Sequence, residues 1–464
     1  MILAVMATGA MIVLAMPPCG FWEIGWFALM PVFWATRNSR LIVGVVCAIA
    51  ATMVAAYIAT TGVFYRQGSP EGEPTWIYLG CALFGFVFAI VAGVSSEVKD
   101  RSPRTLLILS FIGVLLDWCL LVVLPAPLAL SQATFRPMLV LASVTGIWGI
   151  SFALWFFNLA VVEAIEQRGK WLKIVMVVPA VSLLLGLKPL IIPAGKALTP
   201  VGVIQADSPN LSAFRGLSKA AARDTLQVSG AELVVWPEFS GMMFAPGGRT
   251  QRLTDLAKES GMPAFVTSYR DNFRPLPHNT ATLFSSQGKS APYFKRKLFG
   301  SESKMHSPGR EPVAVPFGST KVGLNICFDS CYPSIIRDTV RQGAEVIALP
   351  TIDPDSPYGF FAANHAAFTP IRAAENGVSI IRCDGYAYST IADPEGSIVA
   401  QLGDVKDQFA RANIPTHGHA TIYRWAGDWF LYFCGGALLW AVFAQLRAKK
   451  QPTESASTEP RLPA

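Results

Sequence analysis

The chain has 464 residues, of which 52% are hydrophobic and only 15% are charged, and its formal net charge is +7. Soluble domains carry roughly 25% charged residues, so this composition excludes an ordinary soluble protein. Many lysines and arginines lie in short loops between apolar segments, a placement that indicates membrane orientation and argues against nucleic-acid binding.

Eight apolar segments approach or exceed the roughly 20 residues that a helix needs to cross a bilayer. The first lacks a basic region before it and is followed at once by another apolar segment, so we interpret it as a helix rather than a signal peptide. The predicted spans are approximately 1–16, 20–36, 41–65, 75–95, 105–125, 137–163, 171–192 and 427–446.

The basic residues of the connecting loops alternate between the two ends of the predicted bundle. They follow the second, fourth, sixth and eighth spans: Arg37, Arg40, Lys99, Arg101, Arg104, Arg168, Lys170, Lys173, Arg447, Lys449 and Lys450. The intervening loops carry little more than Arg66 and Arg136. Because positively charged loops stay in the cytoplasm, the N-terminus and the tail are predicted there, and residues 193–426 on the opposite side.

The region between the last two spans alternates β-rich and helix-like segments, which indicates a layered α/β domain. The predicted strands are Val201–Gln205, Leu233–Trp236, Ala264–Ser268, Thr280–Phe284, Val322–Cys327, Val346–Leu349 and Ser379–Arg382, and the predicted helices lie near 211–228, 249–260, 333–342 and 362–376. The chain is therefore divided into a seven-helix transmembrane domain (1–192), an extracytoplasmic α/β domain (193–426), a C-terminal transmembrane helix (427–446) and a disordered cytoplasmic tail (447–464).

The cysteines and histidines show no metal-binding spacing. Five of the eight cysteines lie in or beside apolar spans, no Cys-x-x-Cys pair occurs, and the five histidines are scattered. We therefore expect no structural zinc site.

Cys327 is the first candidate catalytic residue. It ends a predicted strand and precedes Asp329 and Tyr332-Pro333. A thiol at a sharp turn is close to backbone N–H groups that can stabilise an oxyanion. The competing interpretation is a buried structural cysteine. Cys331 is the rival thiol, and a disulfide between the two would remove the nucleophile.

A carboxylate and an ammonium complete the groups needed for acyl transfer through a thioester. Glu238 follows Trp236-Pro237 after a predicted strand, and a dry site would raise its pKa enough for it to act as general base. Lys295, in the run Tyr293-Phe294-Lys295-Arg296-Lys297, would stabilise a thiolate and an oxyanion. Taken singly, Glu238 is better explained as a solvated loop glutamate and Lys295 as part of a solvated basic face. The order and spacing of all three residues favour the catalytic interpretation.

The order Glu238, Lys295, Cys327 resembles the catalytic order of the nitrilase (carbon–nitrogen hydrolase) superfamily. Three segments resemble its motifs: His278-Asn279-Thr280-Ala281, Cys327-Phe328-Asp329-Ser330-Cys331-Tyr332-Pro333 and Arg372-Ala373-Ala374-Glu375-Asn376. The arrangement of spans resembles the apolipoprotein N-acyltransferase family, as do four short segments: Met16-Pro17-Pro18, Trp22, Ser131-Gln132 and Gly146-Ile147-Trp148-Gly149.

The resemblance implies a four-layer αββα sandwich on the periplasmic side of the bacterial inner membrane. Cys327 would attack an acyl ester of a membrane phospholipid, and the N-terminal amine of a diacylglyceryl-cysteine lipoprotein would then accept the acyl group. Glu238 would be the base, Lys295 the oxyanion partner, and Glu302 a supporting carboxylate that orients the lysine. The resemblance also implies that no metal ion and no organic cofactor is needed, and we expect a monomer without nucleic-acid partners.

Two segments depart from the family pattern. The family usually has Asn-Asp-x-Trp-Phe after the strand that follows the nucleophile, where this chain has Ile352-Asp353-Pro354-Asp355-Ser356. The loop Lys297-Leu298-Phe299-Gly300-Ser301-Glu302 is one residue shorter than its counterpart. The missing aromatics leave the acceptor amine open.

Other functions stay open at this stage. A membrane-anchored amidase or nitrilase would use the same triad and pass the acyl group to water. A divergent accessory protein of conjugal transfer, with altered or no turnover, would suit the changed loop, because plasmid-borne members of the resembled family are associated with that process. A transporter would use ionisable residues inside the bundle, such as Asp117, which could equally bond a neighbouring helix. We interpret His365 as structural, which disfavours a Cys–His hydrolase.

Overall fold

The computed structural model describes residues 1–60, 90–96, 98, 101–123, 126–167, 169–186, 198–205, 230–243, 250–261, 263–353, 359–386, 388–403 and 408–450. The predicted helix near 211–228, most of the predicted span 75–95 and the tail from 451 onward lie outside the described residues.

The N-terminal part is a bundle of apolar helices around one core, which includes Trp26, Leu109, Trp148 and Trp155. Helices that are apolar on every side must be covered by other helices or by lipid. The helices are α1 (Ile2–Ala15), α2 (Trp22–Gly25), α3 (Met30–Thr36), α4 (Leu41–Thr60), α5 (Pro103–Val123), α6 (Arg136–Thr145), α7 (Ile147–Gln167) and α8 (Lys170–Gly186).

Two predicted spans are interrupted. The segment 20–36 forms the short helices α2 and α3, and the segment 137–163 is divided at Gly146 between α6 and α7. Gly146 has φ 69° and ψ −174°, a combination essentially restricted to glycine. Within the described ranges, three helices are long and apolar enough to cross a membrane: Pro103–Leu120, Ile147–Gln167 and Trp429–Arg447. The count of eight spans stays a prediction.

Two β-sheets follow the bundle. The first has the order β13-β1-β2-β3-β4-β5, with β6 also paired to β4, and the second has the order β12-β11-β10-β9-β8-β7. The strands are β1 (Leu198–Gln205), β2 (Leu233–Val235), β3 (Ala264–Arg270), β4 (Asn279–Ser285), β5 (Gly288–Lys289), β6 (Tyr293–Phe294), β7 (Val313–Phe317), β8 (Thr320–Leu324), β9 (Val346–Thr351), β10 (Ser379–Asp384), β11 (Thr390–Ala392), β12 (Ile398–Gln401) and β13 (Gln408–Pro415). Parallel pairing joins β1, β2 and β3 in one sheet and β8, β9 and β10 in the other.

The sheets stack face to face between two layers of helices. Both faces of the first sheet are apolar, because successive side chains of a strand point to opposite faces. In β2, Leu233 and Val235 join the core between the sheets, and Val234 joins the core under the helix layer. The remaining helices are α9 (Gln251–Ser260), α10 (Pro333–Arg341), α11 (Phe360–Ala366), α12 (Phe368–Asn376), α13 (Ile422–Ala426) and α14 (Trp429–Lys450). Helix α9 covers the first sheet, and α10 and α12 cover the second, so the domain has the order αββα.

Several predicted boundaries change. The predicted helix 362–376 is two helices, α11 and α12, and α14 continues through Lys450, so the predicted tail 447–464 begins inside a helix. The predicted strand Val322–Cys327 is too long, because β8 ends at Leu324.

The bundle and the αββα domain share one core. Phe368, Ile371 and Ala374 of α12 belong to the same buried cluster as the N-terminal helices. The Tyr332 hydroxyl donates to the Leu121 carbonyl at the end of α5 (3.1 Å). The layer of helices over the second sheet is therefore also a layer of the bundle.

Replacing Gly146 with alanine is expected to destabilise this junction. A Cβ there would lie 2.6 Å from the Tyr423 ring, and the backbone conformation costs a non-glycine residue about 1–3 kcal/mol. A thermal melt in detergent should show a lower midpoint for Gly146→Ala than for the wild type. Gly436→Ala is the matched control, because nothing lies within 4 Å of that position. Equal midpoints for both variants would contradict this account of the junction.

Candidate active site

Glu238 lies just beyond the carboxyl end of β2, where the chain leaves the first sheet. Its backbone N–H donates to the Thr351 carbonyl of β9 in the second sheet (3.1 Å). The side chain is 1% exposed. Oε1 accepts from Lys295 Nζ (2.9 Å), and Oε2 accepts from the Ile352 N–H (3.1 Å). Glu238 is a buried carboxylate, so the alternative of a solvated loop glutamate is wrong.

Lys295 follows β6 and is held by the neighbouring backbone. Its N–H donates to the Asn279 carbonyl (2.9 Å), and its own carbonyl accepts from the Gly309 N–H (2.8 Å). Nζ donates to Glu238 Oε1 (2.9 Å) and to Glu302 Oε2 (2.8 Å), and the residue is 2% exposed. Lys295 is therefore a buried ammonium between two carboxylates, and the alternative of a solvated basic face is wrong.

Cys327 begins a single 3₁₀ turn, Cys327–Cys331, after β8. Its φ of 49° lies in the left-handed region, which non-glycine residues rarely adopt and which surrounding contacts must enforce. The side chain is buried, and both Cys327 and Cys331 are free thiols. The two sulfurs therefore do not form the disulfide that would remove the nucleophile.

Asp329 connects the Cys327–Cys331 turn, called here the nucleophile turn after the predicted role of Cys327, to the segment that carries Lys295. Its Oδ2 accepts from the Ile326 N–H (3.0 Å) and from the Tyr293 hydroxyl (2.6 Å), and its Oδ1 accepts from the Lys297 N–H (2.8 Å). One buried carboxylate thus fixes residues on both sides of Cys327 and Lys295. This network accounts for the left-handed conformation of the nucleophile.

The charges of the site act on one another. Burial raises the pKa of Glu238 above its ordinary value, and the charge of Lys295 opposes this shift. Burial also raises the pKa of the Cys327 thiol well above its ordinary value; the negative charge of Glu238 adds to this, and Lys295 opposes it. Burial would lower the pKa of Lys295, but the charge of Cys327 when it is ionised, together with the charges of Glu238 and Glu302, raises it well above its ordinary value. The resting thiol is therefore protonated beside a carboxylate that can take its proton.

Asn279 is a member of the site that the sequence did not single out. Its Nδ2 donates to Glu238 Oε1 (2.6 Å) and to Glu302 Oε1 (2.9 Å). The amide thus bridges the two carboxylates that bind Lys295. The only sequence signal was its place in the His278–Ala281 motif, which gives no side-chain direction.

His365 lies behind the nucleophile turn. Its Nε2 is 3.2 Å from the Cys327 carbonyl and 3.0 Å from Ser330 Oγ, and its Nδ1 is 2.6 Å from Asp353 Oδ1. Burial would lower the pKa of His365, but the Asp353 carboxylate raises it to about 10. An imidazolium at neutral pH cannot serve as a general base, which argues against a Cys–His hydrolase.

One set of three possible metal ligands occurs among the described residues. The ligand atoms of Cys327, Asp353 and His365 lie within 4.8 Å of one another. The Asp353 carboxylate already binds His365 and the buried guanidinium of Arg382. A cation there would have to displace two positively charged partners, so the donor set does not fit a metal ion.

Arg372 and Glu375, from the downstream motif, connect this turn to the bundle. Arg372 donates to the Ser330 carbonyl from Nε (2.9 Å) and to the Cys331 carbonyl from Nη2 (3.4 Å), and it forms a buried ion pair with Glu375. Glu375 Oε1 accepts from the Ile147 N–H at the start of α7 (2.8 Å). The nucleophile turn and a bundle helix thus bind the same ion pair.

Comparison with known families assigns both parts of the chain. The family model described as carbon-nitrogen hydrolase matches residues 200–422, and the one described as apolipoprotein N-acyltransferase N-terminal domain matches residues 8–160. The chain belongs to the apolipoprotein N-acyltransferase family of the nitrilase superfamily. Its C-terminal part has the nitrilase-like fold.

Relatives of this family match along most of the chain. An apolipoprotein N-acyltransferase of Geobacter metallireducens is 24% identical over 500 aligned residues, which cover 94% of each chain. One from Nostoc sp. is 24% identical and covers 90% of this chain and 94% of its own length. A nitrilase of Pyrococcus abyssi, 28% identical, covers only 44% of this chain. A solved amidase from Nesterenkonia sp. is 22% identical over 48% of this chain and 94% of that chain, with a TM-score of 0.41.

The segment that departs from the family pattern begins inside the site. The Ile352 N–H binds Glu238, and Asp353 binds His365 and Arg382, whereas residues 354–358 lie outside the described residues. Aromatic rings next to Cys327 come from other segments: Phe299 packs against Phe328 (5.0 Å between ring centroids) and Phe361 (5.7 Å).

The charges of the site predict that Glu238→Gln lowers the pKa of the Cys327 thiol but abolishes acyl transfer. Removing the negative charge takes away a cause of the raised Cys327 pKa and leaves Lys295 to stabilise the thiolate. Iodoacetamide alkylation of Cys327 should therefore reach half its maximal rate at lower pH than in the wild type, while acyl transfer is lost. Glu238→Asp, which keeps the charge, is the control. A midpoint that stays in place or rises in Glu238→Gln would contradict this electrostatic account.

Proposed function

We propose that this chain is an N-acyltransferase that moves a fatty acyl group from a membrane phospholipid to the N-terminal amine of a diacylglyceryl-cysteine lipoprotein. The observation that carries the proposal is the position of the nucleophile turn. Cys331 belongs to the core of the apolar bundle, and Tyr332 bonds to the end of α5. A hydrolase of small soluble amides has no need for a nucleophile built onto a lipid-facing bundle.

The first step forms a thioester. Glu238 takes the proton from Cys327 Sγ as the sulfur attacks the acyl ester carbonyl of the phospholipid. Lys295 Nζ stabilises the oxyanion that forms on the former carbonyl oxygen. When the tetrahedral intermediate collapses, the ester C–O bond breaks and the lysophospholipid oxygen receives the proton from Glu238.

The second step transfers the acyl group to the amine. The neutral amine attacks the thioester carbonyl, and Glu238 takes one of its protons. The C–S bond then breaks, the sulfur leaves as a thiolate beside Lys295, and Glu238 returns the proton to it. The free thiol is restored and an amide is formed. The raised pKa of Glu238 suits a group that both takes and returns a proton.

The supporting residues keep the base and the ammonium in place. Glu302 accepts from Lys295 and from the Phe299 N–H (2.9 Å). Burial would raise the pKa of Glu302, but Lys295 and the hydrogen bonds from Asn279 and Phe299 lower it. It therefore stays ionised and orients the lysine, whereas Glu238 is free to change its protonation state.

The membrane setting of the proposal has eight spans in the bacterial inner membrane and the αββα domain on the periplasmic side. The spans lie within residues 1–192 and 427–446, on either side of the αββα domain at 193–426, and the tail follows the end of α14. Large apolar side chains exposed on α8 and α14 support it, including Leu184 (67%), Leu439 (74%) and Trp440 (69%). The basic loops give the orientation, and we propose a monomer.

The hydrolase alternative has less support. The nitrilase relative covers only 44% of this chain, whereas the apolipoprotein N-acyltransferase of Geobacter metallireducens covers 94% of it. An accessory role without turnover would not need the buried Glu238, Lys295 and Cys327 to lie together.

Intact-mass spectrometry of the protein incubated with phospholipid tests the first step. The wild type should gain the mass of one acyl chain, and hydroxylamine should release it, because hydroxylamine cleaves thioesters. Cys327→Ala should show no adduct. Cys331→Ala, which alters a buried thiol four residues away, should keep it. An adduct that survives in Cys327→Ala, or no adduct in the wild type, would reject the proposed mechanism.

A further inference from the structure

Three arginines gather where α10 meets the short helix α13, just before α14 begins. Arg341 donates to the Arg424 carbonyl from Nε (3.3 Å) and to the Trp425 carbonyl from Nη2 (2.6 Å). Arg424 Nη2 donates to the Val340 carbonyl (3.3 Å). The Arg337 guanidinium lies over the Tyr423 ring, 5.8 Å from its centroid, and against Gly427, where a Cβ would be 1.4 Å from Nη1.

The positive charge of this cluster is not neutralised by the described part of the chain. Within those residues, no carboxylate lies at ion-pair distance from Arg337, Arg341 or Arg424. Asp428, the acidic residue next to the cluster in sequence, accepts instead from Trp148 (2.7 Å) and Tyr423 (3.0 Å). Three guanidinium groups without an ion-paired carboxylate among the described residues give this surface a positive charge, so the arrangement favours an anionic ligand.

Helix capping explains part of the cluster but not all of it. Arg341 and Arg424 bind carbonyls near the ends of α13 and α10, where cations are favourable. Each guanidinium has five N–H donors, so most donors of both remain available. Arg337 caps nothing: its buried Nε has no hydrogen-bond partner among the described groups. Its charge needs another explanation.

The surroundings of the cluster fit a membrane surface. Trp425 is 80% exposed and Ile422 is 53% exposed on α13, and Tyr432 on the first turns of α14 is 73% exposed. Large exposed aromatic side chains at the start of a spanning helix are typical of the interface between lipid headgroups and water. A guanidinium binds phosphate through paired N–H donors, and lipid phosphates lie at this depth.

We propose that Arg337, Arg341 and Arg424 bind the phosphate of an anionic phospholipid, which holds the αββα domain at the bilayer surface. The inference rests on the membrane setting proposed above. We take the bound lipid to be distinct from the acyl donor, because among the described residues no hydrogen bond or ion pair joins the three arginines to Glu238, Lys295 or Cys327.

Native mass spectrometry of the full chain from nanodiscs tests the site. The discs contain phosphatidylglycerol and phosphatidylcholine in equal amounts. The wild type should retain phosphatidylglycerol preferentially. Arg337→Gln, which removes no hydrogen bond to a described residue, should reduce that retention about fivefold, and Arg337→Gln with Arg341→Gln more strongly. Arg337→Lys should recover part of it. Arg252→Gln, on α9 and paired to Glu259, should change nothing.

The outcomes separate this inference from the proposed function. The arginine variants should still form the Cys327 thioester when phospholipid is in excess, since none of the three contacts the site. Equal retention of both lipids by the wild type, or unchanged retention in the arginine variants, would overturn the lipid site and leave the acyltransferase proposal in place. Retention in nanodiscs that is abolished by inorganic phosphate alone would assign the cluster to free phosphate and also overturn it.

Discussion

Lys295 Nζ lies between the carboxylates of Glu238 and Glu302, at 2.9 and 2.8 Å, with only 2% of the residue exposed. Burying an ammonium is favourable only when its partners are close and hydrogen-bonded. Asn279 supplies the additional donor by binding both carboxylates. The arrangement leaves Glu238 with a raised pKa and Glu302 with a lowered one. The opposite pKa shifts of these two glutamates suit the roles proposed for them, with Glu238 exchanging protons and Glu302 holding its charge.

The second constraint is the junction between the domain and the bundle. The Arg372–Glu375 ion pair binds the nucleophile turn on one side and the first N–H of α7 on the other. The chain at Gly146 must turn sharply to present that N–H, and only glycine fits there beside Tyr423. The catalytic turn is thus attached to a helix that is long and apolar enough to cross a membrane. In an acyltransferase this attachment would keep the Cys327 thiol at a fixed depth relative to substrates held in the membrane.

The central strands and the positions of Glu238 and Cys327 could be predicted from the sequence. These strands are runs of β-branched residues, and the two reactive residues follow β2 and β8 within a few positions. Edge strands such as β5 and β6 are only two residues long and carry no periodic signal. The helix predicted over 137–163 is divided at Gly146, which has a positive φ and packs closely against the Tyr423 ring. Tyr423 is distant in the chain, so local sequence patterns carry no sign of this contact. Asn279 and the Asp329 network escaped notice for the same reason, since their partners come from separate loops. His365 was interpreted as structural, and its pairing with Asp353 fits that prediction.

The most direct test of acyl transfer is a single-turnover chase. Wild-type enzyme acylated on Cys327 would be freed of excess phospholipid and mixed with a diacylglyceryl-cysteine peptide, with an N-acetylated peptide as the control. The account predicts that the acyl group passes to the free amine much faster than it is released as fatty acid, and that the blocked peptide accepts none. Release as fatty acid at the same rate with either peptide would contradict the account and identify a hydrolase.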